Sequence, residues 1–165
     1  MAEPFYIVFV CNGNTCRSPM AQGILRKLLP KALKPQFRVL SAGLYASDKR
    51  KATPEAVEVA GGYGVNLTRH QTRQVDDGLL EKADLVLTFS AAQRDEVARR
   101  CAPPFGVFAL KEFGRKGEGA VEVTIADPVG GTKEAYVRCY QEIKEEIERI
   151  LSELSRLWEL KSQHG

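Results

Sequence analysis

Phe5-Tyr6-Ile7-Val8-Phe9-Val10 is an unbroken apolar run that opens into the loop Cys11 to Ser18, and the loop in turn opens into a helix signal. A run this rich in β-branched and aromatic residues, with no polar alternation, has the pattern of a strand buried on both faces of a parallel sheet. Ser18 can cap a helix and Pro19 suits its first position. Met20, Ala21, Ile24, Leu25 and Leu28 then recur on one face until Pro30. Strand, tight loop and helix in this order commit the chain to a crossover back to a parallel neighbour, and such crossovers are nearly always right-handed.

The alternation continues. Phe37–Leu40, Leu85–Phe89 and Val107–Leu110 read as further strands with helical stretches between them. Thr53 before Pro54 opens one helix, and Ser90 with Gln93 three residues on forms a capping-box pattern for another. The last helix is the clearest, with Tyr136, Tyr140, Ile143, Ile147, Ile150, Leu154 and Leu157 at three- and four-residue steps. The pattern predicts an α/β fold: one three-layer domain over residues 1–160, with a short parallel sheet of about four strands flanked by helices. Lys161 to Gly165 lacks the apolar stripe and is expected to fray.

With 165 residues the chain has the size of a single domain that buries enough surface to fold without staples. The net charge is +3 and no long Lys/Arg block is present, which argues against nucleic acid as a partner while favouring an anionic substrate. No stretch approaches the roughly 20 apolar residues of a membrane span. No basic, signal-like segment precedes Phe5, so a cytoplasmic protein is expected; the sequence does not reveal the oligomeric state, for which a monomer is the default. The four cysteines do not have the spacing of a secreted disulfide scaffold, and no His/Cys/Asp cluster has metal-ligand spacing. Neither a metal nor another cofactor is expected.

The loop Cys11-Asn12-Gly13-Asn14-Thr15-Cys16-Arg17-Ser18 joins a strand end to a helix start, where backbone N–H groups and the helix dipole favour an anion. Arg17 adds a fork that can grip two phosphate oxygens, and Gly13 and Asn14 suit left-handed backbone values. A thiol at Cys11, surrounded by these donors and within reach of the Ser18 hydroxyl, is expected to be ionised at neutral pH. Such a sulfur can attack phosphorus and form a phosphocysteine, which water hydrolyses.

These residues, followed by Pro19-Met20-Ala21, resemble the low-molecular-weight protein phosphatase family. The resemblance extends to Ser41-Ala42-Gly43, His70 to Gln74, Ala83-Asp84-Leu85-Val86-Leu87 and Asp127-Pro128. It implies that Cys11 is the nucleophile, Arg17 the clamp on the phosphoryl oxygens and Asp127 the general acid, with the whole loop from Asn12 to Ser18 cradling the phosphate. It further implies that Asn14, Ser18, Ser41 and His70 brace the loop, and that Cys16 can pair reversibly with Cys11 on oxidation. Without the resemblance, Asp127 also reads as a turn aspartate, His70 as a surface imidazole and Cys16 as a packed thiol.

Thr15 stands where tyrosine-directed members of the family usually carry a larger aliphatic residue. In this the loop is closer to the bacterial protein-arginine phosphatase branch, which implies phosphoarginine in proteins as substrate and phosphotyrosine as the alternative. Val129 departs from that pattern, because an aromatic is common after Asp-Pro. A thiol-dependent arsenate reductase would need relay cysteines that the segment after Phe89 lacks, and a cysteine phosphocarrier would have no use for Asp127.

Overall fold

The computed structural model describes residues 3–117 and 122–164. Strands β1 (Phe5–Cys11), β2 (Phe37–Gly43), β3 (Leu85–Thr88) and β4 (Val107–Ala109) form one parallel sheet in the order β2-β1-β3-β4. Helices α1 (Arg17–Leu28), α2 (Pro54–Gly62), α3 (Asp77–Lys82), α4 (Ala91–Ala98) and α5 (Lys133–His164) cover it.

The unbroken apolar run of β1 has the cause expected of it. Phe5, Ile7 and Phe9 enter one core, shared with Met20 and Ile24 of α1, Ala56 of α2 and Ile143, Ile147 and Leu154 of α5. Val8 and Val10 enter the opposite core, with Leu79 and Leu80 of α3 and Val97 of α4. The chain passes from β1 to β2 on one side and then crosses to β3 on the other, so the direction of winding reverses at β1. Open α/β sheets bind ligands at the carboxyl end of such a reversal, which is where the Cys11 loop lies.

Three local expectations are corrected. Helix α1 begins at Arg17, so Ser18 is its second residue and not its cap; Cys16 stands at the N-cap without a side-chain bond, and the Ser18 hydroxyl is turned toward Cys11. β2 runs on to Gly43, since Ser41, Ala42 and Gly43 stay in register with Phe9, Val10 and Cys11 although the apolar pattern stops at Leu40. The segment expected to fray is helical to His164, with Gly165 outside the described residues. A charged contact does there what an apolar stripe would otherwise do: Lys161 Nζ donates to Pro4 O and to Asp84 Oδ2, each at 2.7 Å, and Asp84 Oδ2 also accepts from Tyr6 N at 2.8 Å.

The other helix starts follow the sequence more closely. Thr53 caps α2 by accepting from Ala56 N, and Ser90 caps α4 by accepting from Gln93 N. Gln93 does not complete a capping box, however, because its Oε1 accepts from Phe89 N.

Candidate active site

Cys11 is the last residue of β1, and the loop that follows curls around its sulfur. The Ser18 hydroxyl lies 2.9 Å from Sγ and the Asn14 N–H donates to Sγ at 3.2 Å. This curl needs one left-handed residue, and Asn14, with φ of 58°, supplies it at little cost for its type. Gly13 does not share that conformation, contrary to expectation.

Asn14 is fully buried, and each of its polar groups is used. Nδ2 donates to Ser18 Oγ at 2.8 Å and to Ser41 Oγ at 3.0 Å, and Oδ1 accepts from Arg73 N at 3.0 Å. Its carbonyl accepts from His70 Nε2 at 2.8 Å, which fixes the tautomer with the proton on Nε2. Ser41 passes its own proton to Gln22 Oε1 at 2.8 Å. Asn14, Ser18, Ser41 and His70 are therefore together. Burial lowers the His70 pKa and the nearby Arg26 charge lowers it further, against the pull of the Asn14 carbonyl, so the imidazole is neutral at pH 7.

The rest of the loop is tied down from both sides. Asn12 Oδ1 accepts from Gln93 Nε2 at 3.1 Å, and Thr15 O accepts from Thr53 N at 3.1 Å. Cys16 is buried, with Sγ 3.3 Å from Thr53 Oγ1 and 3.5 Å from Tyr136 Oη, and both it and Cys11 are free thiols. Gly43 backs the loop directly. A Cβ there would stand 2.5 Å from Asn12 O and 3.0 Å from Asn14 N.

Arg17 is 5% exposed, lies with its guanidinium carbon 5.8 Å from the Phe89 ring centre, and donates from Nη1 to Ile125 O at 3.0 Å. Its Nη2 reaches Asp127 Oδ2 at 3.4 Å, although Asp127 is 43% exposed and lies 110 residues away in sequence. Two further contacts place Asp127. Ile125 N donates to Phe89 O just beyond β3, and Asp127 Oδ1 accepts from Val129 N at 3.0 Å. Arginine has five N–H donors, so three remain for an oxyanion.

The charge on Cys11 is a contest. Complete burial pushes the thiol up from its ordinary value, whereas the Ser18 hydroxyl, the Arg17 charge and the amides of Ser18 and Asn14 draw it down. Burial outweighs them and the thiol lies above its ordinary value, the opposite of the lowering that the residue types predict. Ser18 is the strongest of the downward influences, so Ser18→Ala is expected to raise the thiol pKa further and reduce the thiolate fraction at any given pH. A rise of one unit would slow alkylation of Cys11 by iodoacetamide about tenfold at neutral pH. An alkylation profile that Ser18→Ala leaves in place would show that the hydroxyl does not act on the sulfur.

Gln22, Arg73 and Gln93 were not legible as site residues. Gln22 stands one helical turn beyond Ser18, and that spacing was an available signal. Arg73 contributes only its backbone N–H, to which residue type gives no clue. Of the remaining thiols, burial raises Cys101 and pushes Cys139 up to about 12, the latter against the pull of the nearby Arg17 charge. Among the described residues no group of three His, Cys, Asp or Glu side chains is placed to hold a metal ion.

The profile of the family described as "Low molecular weight phosphotyrosine protein phosphatase" matches residues 6–160. The "Probable low molecular weight protein-tyrosine-phosphatase EpsP" of Ralstonia nicotianae is 39% identical over 123 residues, 74% of this chain and 77% of that protein. The "Protein-arginine-phosphatase" of Bacillus subtilis is 35% identical over 155 residues, 91% of this chain and 94% of that one. A solved structure of the YwlE arginine phosphatase, a cysteine-to-serine mutant with a phosphorylated active-site serine, is 32% identical and superposes with a TM-score of 0.77, covering 92% of this chain and 96% of its own.

Proposed function

The chain belongs to the low molecular weight phosphotyrosine protein phosphatase family, and we propose that within it the substrate is phosphoarginine in proteins, hydrolysed through a phosphocysteine on Cys11. The chain is a cysteine-dependent phosphoprotein phosphatase, a hydrolase. The phosphoryl group sits in the loop, held by backbone N–H groups and by the free donors of Arg17. The reaction needs the Cys11 sulfur as a thiolate and the Asp127 carboxyl with the proton it delivers. Sulfur attacks phosphorus, the bond from phosphorus to the guanidino nitrogen breaks, and Asp127 gives its proton to that nitrogen. The Asp127 carboxylate then takes a proton from the water that attacks phosphocysteine, releasing phosphate and restoring the thiolate.

The observation that carries phosphoarginine is Thr15. Its hydroxyl is half-buried in the loop, and among the described residues its only hydrogen-bond partner is the weak Cys16 thiol at 3.6 Å. A polar planar guanidinium can use that hydroxyl, whereas a phenyl ring would leave it unpaired. Thr15→Ile is expected to lower kcat/KM for phosphoarginine protein by about 10- to 100-fold and to raise it for an aryl phosphate. Side-by-side assays on phosphoarginine, phosphotyrosine and phosphoserine proteins test the reading, and parallel losses on all of them would remove Thr15 from specificity.

Phosphotyrosine is the second reading, favoured by Tyr45, 72% exposed directly after β2, and Val129, 55% exposed beyond Asp127. Tyr45 N donates to Asn12 O at 2.9 Å, which ties this exposed aromatic residue to the loop through its backbone. Wild-type enzyme that ignores phosphoarginine protein but cleaves phosphotyrosine peptide would establish this reading in place of the first.

Gly43→Ala tests whether loop position governs catalysis under either reading. The added methyl must push the backbone of Asn12 and Asn14, and kcat is expected to fall about 100-fold with the fold retained. Unchanged kcat would mean that the loop tolerates the shift. A cytoplasmic setting is part of the proposal, because a thiol nucleophile alongside three further free cysteines is suited to a reducing compartment. If the chain were found only in an oxidising compartment of its source cell, that assignment would be lost.

A further inference from the structure

A second concave site lies behind the loop. Residues of α1, the end of β2 and the segment 64–73 enclose a cleft of about 570 Å³, a volume within the usual range for small-molecule sites. None of Cys11, Thr15, Arg17 and Asp127 lines it.

Its charge is one-sided. Arg26, Lys27, Arg69 and Arg73 line the cleft and no carboxylate does, in a chain whose net charge is only +3. The partners of these cations are mostly carbonyls: Arg26 Nη2 donates to Val39 O at 2.8 Å and Lys27 Nζ to Tyr63 O at 2.7 Å. Arg73 is held loosely by Asp76 at 3.6 Å, both side chains being exposed. Arg69 has no side-chain hydrogen bond or ion pair among the described residues. Partial burial lowers the Arg26 pKa, with no carboxylate contributing to offset it. Carbonyls orient these side chains without neutralising them, so the positive potential is left for a ligand.

The other wall is apolar, with Val65 and Leu67 both buried beneath Gly23. A Cβ on Gly23 would stand 2.4 Å from Val65 Cγ1, so glycine there lets α1 approach this wall closely. We propose that this cleft binds a phosphate-class anion, best supplied as a small organic phosphate because the cleft of about 570 Å³ is far larger than a bare phosphate, with arginine forks holding the phosphoryl group. Gln22, Ser41 and His70 line the same cleft and also brace the loop through Asn14 and Ser41, so an occupant would touch the supports of the active site without touching its reacting atoms. The inference goes beyond the phosphatase reading and does not depend on which phosphoryl group is cleaved.

The test is titration of the full-length chain with adenosine monophosphate and, separately, with inorganic phosphate, followed by calorimetry and by backbone amide resonances. Adenosine monophosphate is expected to shift Asn66 to His70 and to bind at least tenfold more weakly to Arg69→Ala and to Arg69→Glu, while kcat/KM of both variants on a small aryl phosphate stays at the wild-type value. Equal affinity for inorganic phosphate, equally weakened by the Arg69 variants, would assign the site to the bare anion. Tighter binding of the organic probe would assign it to an organic phosphate. Binding that neither Arg69 variant weakens, shifts confined to Asn12 to Ser18, or no binding of either probe would overturn the proposal.

Discussion

Cys11→Ser is expected to abolish turnover, with a fall on the order of 10⁵-fold or more, while leaving the protein folded. The size of the effect follows from the nucleophile. An alcohol in the same place keeps its proton far more firmly than a thiol, and no side chain beside Cys11 is a strong base: Ser18 and Asn14 are its contacts. The fold should tolerate the change, because the substituted atom is close in size and can keep both hydrogen bonds. A thermal melt within a few degrees of wild type, together with loss of activity on every phosphoprotein tested, is the expected pair of results. Residual turnover within tenfold of wild type would remove Cys11 from the chemistry. Phosphorylation of the new serine, read as a mass increase of one phosphoryl group after long incubation with substrate, would place the covalent intermediate at this position.

Asp127→Asn is expected to cost about 10²- to 10⁴-fold in kcat on phosphoprotein, the usual range for a general acid. The loss should depend on the leaving group. A guanidino nitrogen is a very poor leaving group without a proton, so phosphoarginine should show the upper end of that range. An aryl phosphate with an acidic phenol needs little help in leaving and should lose far less in the first step. For such a substrate, hydrolysis of the phosphocysteine becomes limiting, because the carboxylate that should take a proton from water is gone, and a burst of phenol should precede a slow steady state. The same loss for good and poor leaving groups, with no burst, would show that Asp127 acts only by holding Arg17. The two are 3.4 Å apart, so this control matters.

The strand and loop were legible in the sequence because β1 is buried on both sides: its apolar run has no alternation to confuse with a surface strand, and Cys11 stands at its end. The limits of that legibility are equally physical. Ser18 before Pro19 reads as a helix cap, but the helix starts one residue earlier and the hydroxyl faces a sulfur seven residues back, which only the folded loop reveals. Donors around Cys11 can be counted from residue types, whereas the burial that opposes them cannot, so residue types predict a lowered thiol where burial raises it. Lys161 has no apolar stripe to mark it as part of the body, and its partners Pro4 and Asp84 lie far away in sequence. Arg73 N and Ile125 O act through the backbone, where side-chain identity carries no information.

Arg17 grips Ile125 O with the same guanidinium that faces the loop, and this makes two steps of the reaction one mechanical part. In the proposed reaction Asp127 then rides on a segment already fastened to the side chain that grips the phosphoryl group, so proton delivery and substrate grip share a single alignment. A change anywhere between residues 122 and 130 is then felt at the phosphoryl group through one side chain, and evolution can retune the timing of the acid without altering a single residue of the cradle.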